Sequence, residues 1–449
     1  MNAIRGDVLM PKRRLVLLLV LATLAPQGLQ AQNSGKLALI FRNIYGPKGL
    51  VVDSEATLPD GSTHSAHFNS GFQSEFTQFN LAMAGQLTAL PVPSPASGFT
   101  YTFDTSTGTF KRSTQSFGPI LADRAETIGQ GRFAVGLNYQ QFTFNSVEGI
   151  DLSRVPAVFK HDDFELGGGR ADVVTTNNSI EAGVAQITPF LTYGVTNRID
   201  VSVAVPIVHT RLSVVSDATI QRIGTADNPL VHFFQDPSAP NGIGSQREFV
   251  AAGSASGLGD IIVRVKGTVL KQGGVGLALG TDVRAPSGDE KNLLGSGAVG
   301  IKPFMALSMV IKHVSPHINA SYQWNGRSEL AGDIKTGAKA DLPDQVQYVA
   351  GADIGVNRKM TLALDFFGVT VLHSPRLFPN SFTAVGPTES VTFPDIGFRK
   401  DTFTQAYGSA GIKTNVGGSI LVSFNLRYGL NHAGLRDKVT PLIGIEYGF

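Results

Sequence analysis

The sequence predicts an all-β fold: a transmembrane, antiparallel, up-and-down β-barrel of about twelve strands, with fourteen as the alternative count. A plug-like segment containing a helix precedes it. Three observations predict this. The chain ends on Pro441-Leu-Ile-Gly-Ile-Glu-Tyr-Gly-Phe449, where Ile443, Ile445, Tyr447 and Phe449 share one strand face and Leu442, Gly444, Glu446 and Gly448 the other. Between residues 131 and 449, tight turns alternate with long loops. Charged residues make up 16% of the chain, well below the ~25% of soluble domains.

From the N-terminus, Lys12-Arg13-Arg14 precede an apolar run from Leu15 to Leu24, then Pro26 and Leu29-Gln30-Ala31. A basic region, a short apolar stretch and a small-residue cleavage site predict a secretory signal peptide over 1–31, with Met10 an alternative start. After Ala31 no apolar run approaches the ~18 residues of a transmembrane helix. The signal holds Arg5, Lys12, Arg13, Arg14 and Asp7, so its removal takes the net charge from +2 to −1. That balance gives no reason to expect nucleic acid as a partner. The chain has no cysteine, which excludes disulfides, a lipidated cysteine and thiol chemistry.

Residues 32–130 do not read as barrel wall. Phe68, Phe72, Phe76, Phe79, Met83 and Leu87 repeat at near-helical spacing, which predicts an amphipathic helix stopped by Pro91 and Pro93. A hairpin is expected next, Phe99–Phe103 with Thr109–Ser113. So much phenylalanine needs a place to be buried. The segment is expected to plug the barrel, with a periplasmic or surface extension as the alternative.

The barrel itself is expected over 131–449. Its strands are 131–146, 184–195, 198–210, 259–270, 274–285, 299–311, 314–325, 346–356, 359–372, 402–414, 418–431 and 438–449. Turn signals at Thr196-Asn197, Asn357-Arg358 and Asn415-Val416-Gly417 join hairpins. The loops 147–183, 213–258, 286–298, 326–345, 373–401 and 432–437 alternate with them. Bacterial barrels keep short turns in the periplasm and long loops outside. The expectation is therefore a bacterial outer-membrane protein in contact with lipid, both termini periplasmic. A soluble β-sandwich has no reason for that strict alternation.

Period two assigns the faces. Ile199, Val201, Val203, Val205 and Ile207 point to lipid; Asp200 points inward. A charge on the lipid face near midplane costs about 2–4 kcal/mol. Parity therefore sends Asp200, Asp260, Arg264, Lys266, Asp282, Arg284, Lys302, His317, Asp353, Asp365, Arg427 and Glu446 to the lumen as pore-lining candidates. They form either a stiffening salt-bridge lattice or a transverse field that orients permeants. Strand 402–414 alternates poorly. Pro189 and Pro206 fall close together on adjacent strands, because pairing across Thr196-Asn197 sets residues summing to about 393 opposite one another. Each lacks a ladder donor. They mark either bulges in an intact wall or a kink through which an apolar permeant leaves sideways.

Several motifs occur in order: Ala122-Asp-Arg-Ala-Glu-Thr-Ile-Gly-Gln-Gly-Arg-Phe133, Thr188-Pro-Phe190, Tyr193-Gly194, Asn197-Arg-Ile-Asp-Val201, Gly257-Leu-Gly-Asp260, Arg284-Ala-Pro-Ser-Gly-Asp289 and Leu293-Leu-Gly295. Over about 120–449 the chain resembles the meta-pathway phenol-degradation family of outer-membrane proteins. A more distant likeness is to long-chain fatty-acid channels, which carry an N-terminal hatch. The resemblance implies a barrel associated with uptake of small hydrophobic or aromatic molecules. The last strand, ending in Phe449, resembles the C-terminal signal of outer-membrane barrels, which implies the barrel-assembly machinery as a partner.

Catalytic and metal motifs are weak. Gly295-Ser-Gly-Ala-Val-Gly300 matches a dinucleotide fingerprint, but a strand follows it, leaving no helix N-terminus for a pyrophosphate. Gly253-Ser-Ala-Ser-Gly257 has Ala255 where a nucleophile would stand. His317, Asn319 and Ser321 are the residue types that outer-membrane lipases use, yet period two sends all three into the lumen, away from lipid. His161-Asp162-Asp163 reads as a solvated loop before a cation site. No cofactor, metal or catalytic residue is expected. The expected function is a passive channel; an adhesion barrel with partner-binding loops 147–183 and 213–258, or a lipid hydrolase, are the alternatives.

Overall fold

The computed structural model describes residues 36–46, 49–57, 68–69, 77–89, 101–104, 109–112, 116–161, 171–225 and 228–449. The expected signal peptide lies outside them, as do Phe72, Phe76, Pro91, Pro93, Asp162 and Asp163.

Twelve antiparallel strands close into a barrel. They are β1 (Phe133–Val147), β2 (Val173–Gly194), β3 (Ile199–Ala204 continued by Ile207–Gln221) and β4 (Gln246–Leu258 continued by Ile261–Gln272). Then come β5 (Val275–Ala285), β6 (Gly300–Met309), β7 (Val314–Asn325) and β8 (Gln345–Asn357). The last are β9 (Met360–Val385), β10 (Ser390–Gly417), β11 (Ile420–Gly429) and β12 (Val439–Gly448). Closure runs from Leu442 opposite Gln140 to Gly448 opposite Ala134. Phe133 and Phe449 exchange both backbone hydrogen bonds at 2.9 Å and stack their rings 5.4 Å apart. The aromatic end of the chain is therefore the seam of the barrel.

The alternation seen in the sequence is the alternation of the wall. Ile199, Ile207, Val263, Val265, Leu279, Phe424 and Ile443 are exposed outward, while Asp200, Arg264, Lys266, Asp282 and Asn425 are buried inward. Pairing each strand on both sides leaves no open edge, which a lipid environment requires. Tight turns use left-handed glycines where the chain reverses, Gly273 and Gly274 at φ +58° and +82° and Gly418 at +55°.

Strands are longer than the sequence suggested, and the loops correspondingly shorter. Much of the expected loop 147–183 is strand: β2 begins at Val173, and Val155–His161 pairs against its first residues. The expected loop 213–258 shrinks to 222–245 between β3 and β4. The expected loop 373–401 is a β9–β10 ribbon paired out to Val385 opposite Ser390. Beyond the bilayer no face has to be apolar, so runs such as Thr175-Thr176-Asn177-Asn178 lose the alternation that marks a wall strand.

Inside, the helix α1 covers Thr77–Ala89 rather than beginning near Phe68, which instead sits in a two-residue strand opposite His161. The expected one-sided stripe is also corrected. Phe79, Leu81, Met83 and Ala84 are buried together with Asn80 and Gln86, because the barrel surrounds the helix. Gln86 donates to Gln405 Oε1 and the Leu435 carbonyl at 3.1 and 2.9 Å. Leu37, Phe41 and Tyr45 pack beside α1, with Phe41 edge-on to Phe79 at 5.1 Å. The expected hairpin appears as Tyr101–Asp104 paired with Thr109–Arg112.

Candidate functional site in the lumen

The inward charges meet a stretch of chain inside the barrel, residues 116–130. Arg264 on β4 forks between two carboxylates: Nε and Nη2 reach Asp282 at 2.6 and 2.8 Å, and Nη1 reaches Asp123 at 2.8 and 3.0 Å. Lys302 closes on Asp282 at 3.2 Å. Lys266 donates to the carbonyls of Arg124 and Glu126 at 3.1 and 2.8 Å. Asp200 accepts the Ile128 N–H at 3.0 Å, and Lys413 donates to the Pro119 carbonyl at 3.1 Å. Glu446 lies on β12 opposite Leu421 on one side and Gly136 on the other and is half-buried. Buried charge is tolerable only when paired in this way.

A second anchor lies on β7–β9. Arg124 reaches Asp353 at 3.2 Å, and the Ser116 hydroxyl also bonds Asp353. His317 lies between two acids, with Nε2 2.6 Å from Asp365 and Nδ1 3.5 Å from Asp353. Asn319 both accepts from the Asp123 N–H and donates to its carbonyl, at 2.7 and 2.9 Å. Of the residues that resembled a lipase set, Asn319 therefore holds this inner segment directly and His317 through Asp353, while Ser321 lines the space beside it.

Pro189 and Pro206 mark a thin place in the wall. Pairing is one residue off the expected register: Ile187 faces Ile207 and Phe190 faces Ala204, so Pro206 faces Thr188 and Pro189 faces Val205. Only single bonds cross here, Val205 N–H to the Pro189 carbonyl at 3.0 Å and Gly259 N–H to the Pro206 carbonyl at 2.8 Å. The wall is interrupted but closed. On its inner side the 286–298 connection folds inward and buries Leu293 and Leu294. Asp260 accepts from Gly288 N–H at 3.1 Å and from Ser296 twice, and Arg284 sits 3.5 Å from it while donating to Asn325 at 2.8 Å. Motifs far apart in sequence, Gly257–Asp260 and Arg284–Gly295, thus meet behind Pro206.

Three cavities follow from this filling. One of about 50 Å³ opens between α1 and the β9–β10 ribbon, with Phe79, Leu81, Leu377, Phe398 and Phe403 among its lining. One of about 40 Å³ lies between Pro206, Ile262, Leu294, Arg284 and the end of α1. The third, about 80 Å³, lies between the end of α1 and Leu121–Asp123, against Phe304, Phe367, Tyr407 and Arg427.

The sequence reading left out Asp123, Arg124, Glu126, Lys413 and Arg436. The first three stand in the Ala122–Phe133 motif, whose clustered charge immediately before the first wall strand was the available signal. Lys413 lies in the strand whose alternation read poorly. Among the described residues no group of three or more His, Cys, Asp or Glu could hold a metal ion.

A family model described as "Putative MetA-pathway of phenol degradation" matches residues 161–368. No curated protein matches the chain. Among solved structures, an outer-membrane channel from Pseudomonas putida F1 is 12% identical, covering 73% of this chain and 99% of that one, with a TM-score of 0.44. A FadL homologue from Pseudomonas aeruginosa is 9% identical over 71% of this chain and 89% of its own, with a TM-score of 0.29. The translocator domain of the autotransporter NalP from Neisseria meningitidis is 9% identical over 72% and 89%, with a TM-score of 0.31. Over residues 161–368 the chain matches the phenol-degradation family that its motifs resemble, and its fold is an outer-membrane-type β-barrel of twelve strands.

Proposed function

We propose that the protein is an outer-membrane channel for passive uptake of small hydrophobic or aromatic molecules. The observation that carries this is a barrel filled by its own N-terminal residues around cavities with aromatic walls. A rigid aromatic lining favours apolar, planar permeants over hydrated ions. The match to a phenol-degradation family model supports the same permeant class. In this reading residues 32–130 act as the plug, the inward charges hold it, the short turns and both termini face the periplasm, and the long connections face outward. The thin wall at Pro189 and Pro206 is the sideways exit into lipid, because backbone with missing donors is tolerated there only beside a cavity.

The test is transport by the purified protein in vesicles, with phenols, fatty acids and sugars compared. Faster entry of aromatics is expected, and deletion of residues 33–120 should raise single-channel conductance. Equal entry of all three, or unchanged conductance in a folded deletion, would defeat the proposal. Release of fatty acid from the vesicle lipid would point to a hydrolase instead. For the exit, replacing Pro189 and Pro206 by Val should slow an apolar permeant more than a polar one.

A further inference from the structure

On the inner faces of β10, β11 and the turn before β12, Tyr407 bears two guanidinium groups. Arg427 lies 4.4 Å and Arg436 4.1 Å from its ring centroid, and Arg427 also lies 5.2 Å from the Phe142 ring. Both arginines are buried, at 9% and 4% exposure. Arg427 donates from Nη2 to the Thr440 hydroxyl at 3.2 Å, and Arg436 from Nη2 to the Ala406 carbonyl at 3.0 Å. Arg427 Nε and Arg436 Nη1 have no hydrogen-bond partner among the described residues.

No carboxylate of the described residues stands at ion-pair distance from either guanidinium. Asp437, on the same rim, instead accepts from the Thr143 N–H at 3.2 Å, the Val439 N–H at 3.1 Å and the Thr440 hydroxyl at 3.1 Å. Two buried like charges beside each other with idle donors are costly unless an anion joins them. Arg427 also lines the cavity of about 80 Å³ beside Leu121–Asp123. The other charges there compensate one another: Arg264 binds Asp123 and Asp282, and Lys302 binds Asp282. What remains is one cation without an ion pair, linked to Asp437 only through the Thr440 hydroxyl, in a chamber whose walls include Phe304, Phe367 and Tyr407.

We propose that this cavity is a subsite for a monocyclic aromatic carboxylate, its ring against Phe304 and Phe367 and its carboxylate on the Arg427 guanidinium. The inference rests on the channel reading and narrows it to an anionic permeant. A carboxylic acid, with a pKa near 4, is ionised at neutral pH, whereas a phenolic hydroxyl, near 10, is not. A charge-assisted bond to guanidinium is about twice as strong as a neutral one, so the site separates the two classes.

The experiment is calorimetric titration of the full chain in detergent with benzoate, benzyl alcohol and cyclohexanecarboxylate. Benzoate is expected to bind at least tenfold more tightly than either of the others, one lacking the charge and the other the aromaticity of the ring. Arg427→Met should lose at least tenfold in benzoate affinity and leave benzyl alcohol unchanged, and Arg427→Lys should recover part of it. Benzoate bound no better than benzyl alcohol by the unaltered protein would overturn the subsite without reference to any variant. So would Arg427→Met binding benzoate as the unaltered protein does. Conductance in planar bilayers on the same preparation separates the two readings: benzoate binding without conductance keeps the subsite and unseats the channel.

Discussion

Ser296 gives both of its donors to Asp260, its backbone N–H at 2.8 Å and its hydroxyl at 2.6 Å. This pair ties the inward-folded connection to the strand break beside Pro206, and Leu294 is carried with it. An added Cβ at Gly257 would meet Leu294 Cδ1 at 3.0 Å, which shows how closely the connection lies against the wall.

Ser296→Ala removes the hydroxyl bond and keeps the backbone one, so a loss of about 1.5–3 kcal/mol is expected, the range for a hydrogen bond to a charged group. Asp260→Ala strips the acceptor from Ser296 and Gly288 and the counter-charge from Arg284, and about 3–5 kcal/mol is expected. Urea unfolding in vesicles, followed by the gel shift between folded and unfolded barrel, measures both. Equal losses for the two variants would show that the carboxylate adds nothing beyond the one hydroxyl bond.

The next expectation concerns Gly194, where β2 meets the internal segment. A Cβ there would lie 1.8 Å from the Gly129 carbonyl oxygen and 2.7 Å from its carbon. Those are backbone atoms, pinned by Gly131 N–H to the Gly194 carbonyl at 2.8 Å and Gly194 N–H to the Arg132 carbonyl at 2.9 Å. Gly194→Ala should therefore displace the entry of the internal segment, and protease cleavage within 116–131 should quicken in the intact barrel. Unchanged cleavage would mean that the two backbones can separate at little cost.

The strands near the short turns were legible because lipid on one side imposes a two-residue period that ordinary surfaces do not. Val263 and Val265 against Arg264 and Lys266 is that imprint. What the charges do was not legible in the same way. Parity says that Arg264 points inward, but its partner Asp123 lies 141 positions earlier in an irregular segment, and nothing periodic connects them. The register at Pro206 slipped by one because the turn after Gly194 is longer than Thr196-Asn197 alone suggests, with Val195 N–H and Thr196 N–H both bonding the Ile199 carbonyl. The upper strands were missed because neither of their faces meets lipid.

Arg264 and Arg284 separate two roles that sequence parity could not. Arg264→Ala leaves Asp123 and Asp282 without their shared guanidinium, and removing one partner of a buried pair costs about 3–5 kcal/mol. It should also shift ion selectivity towards cations and loosen the internal segment, so conductance rises. Arg284→Ala loses the 3.5 Å contact to Asp260, the bond to Asn325 and a 3.5 Å bond to the Ala298 carbonyl, none of them to the internal segment. Its selectivity change should come without a rise in conductance. Planar-bilayer reversal potentials and conductances of the two folded variants decide this, and identical conductances would mean that Arg264 does not hold the segment.

The last expectation is a pH dependence at Asp172, before the wall-spanning part of β2. Burial opposes charge on this fully buried carboxylate, but His232 Nδ1 at 2.7 Å, the Thr225 hydroxyl and the Gly224 N–H at 2.7 Å together hold its pKa below the ordinary carboxylate value. A depressed acid stabilises the fold fully above its unfolded value, about 3.9. That contribution is lost as pH falls through the lower folded value. The connection between β3 and β4, which Asp172 ties to the start of β2, should stay protected from protease at pH 7 and pH 5 and open below about pH 4. Asp172→Asn keeps the shape and loses the charge, so it should be cleaved faster at pH 7 and show little further change on acidification. If the unaltered protein opened between pH 7 and pH 5 while the Asn variant matched it, some group other than Asp172 would control the loop.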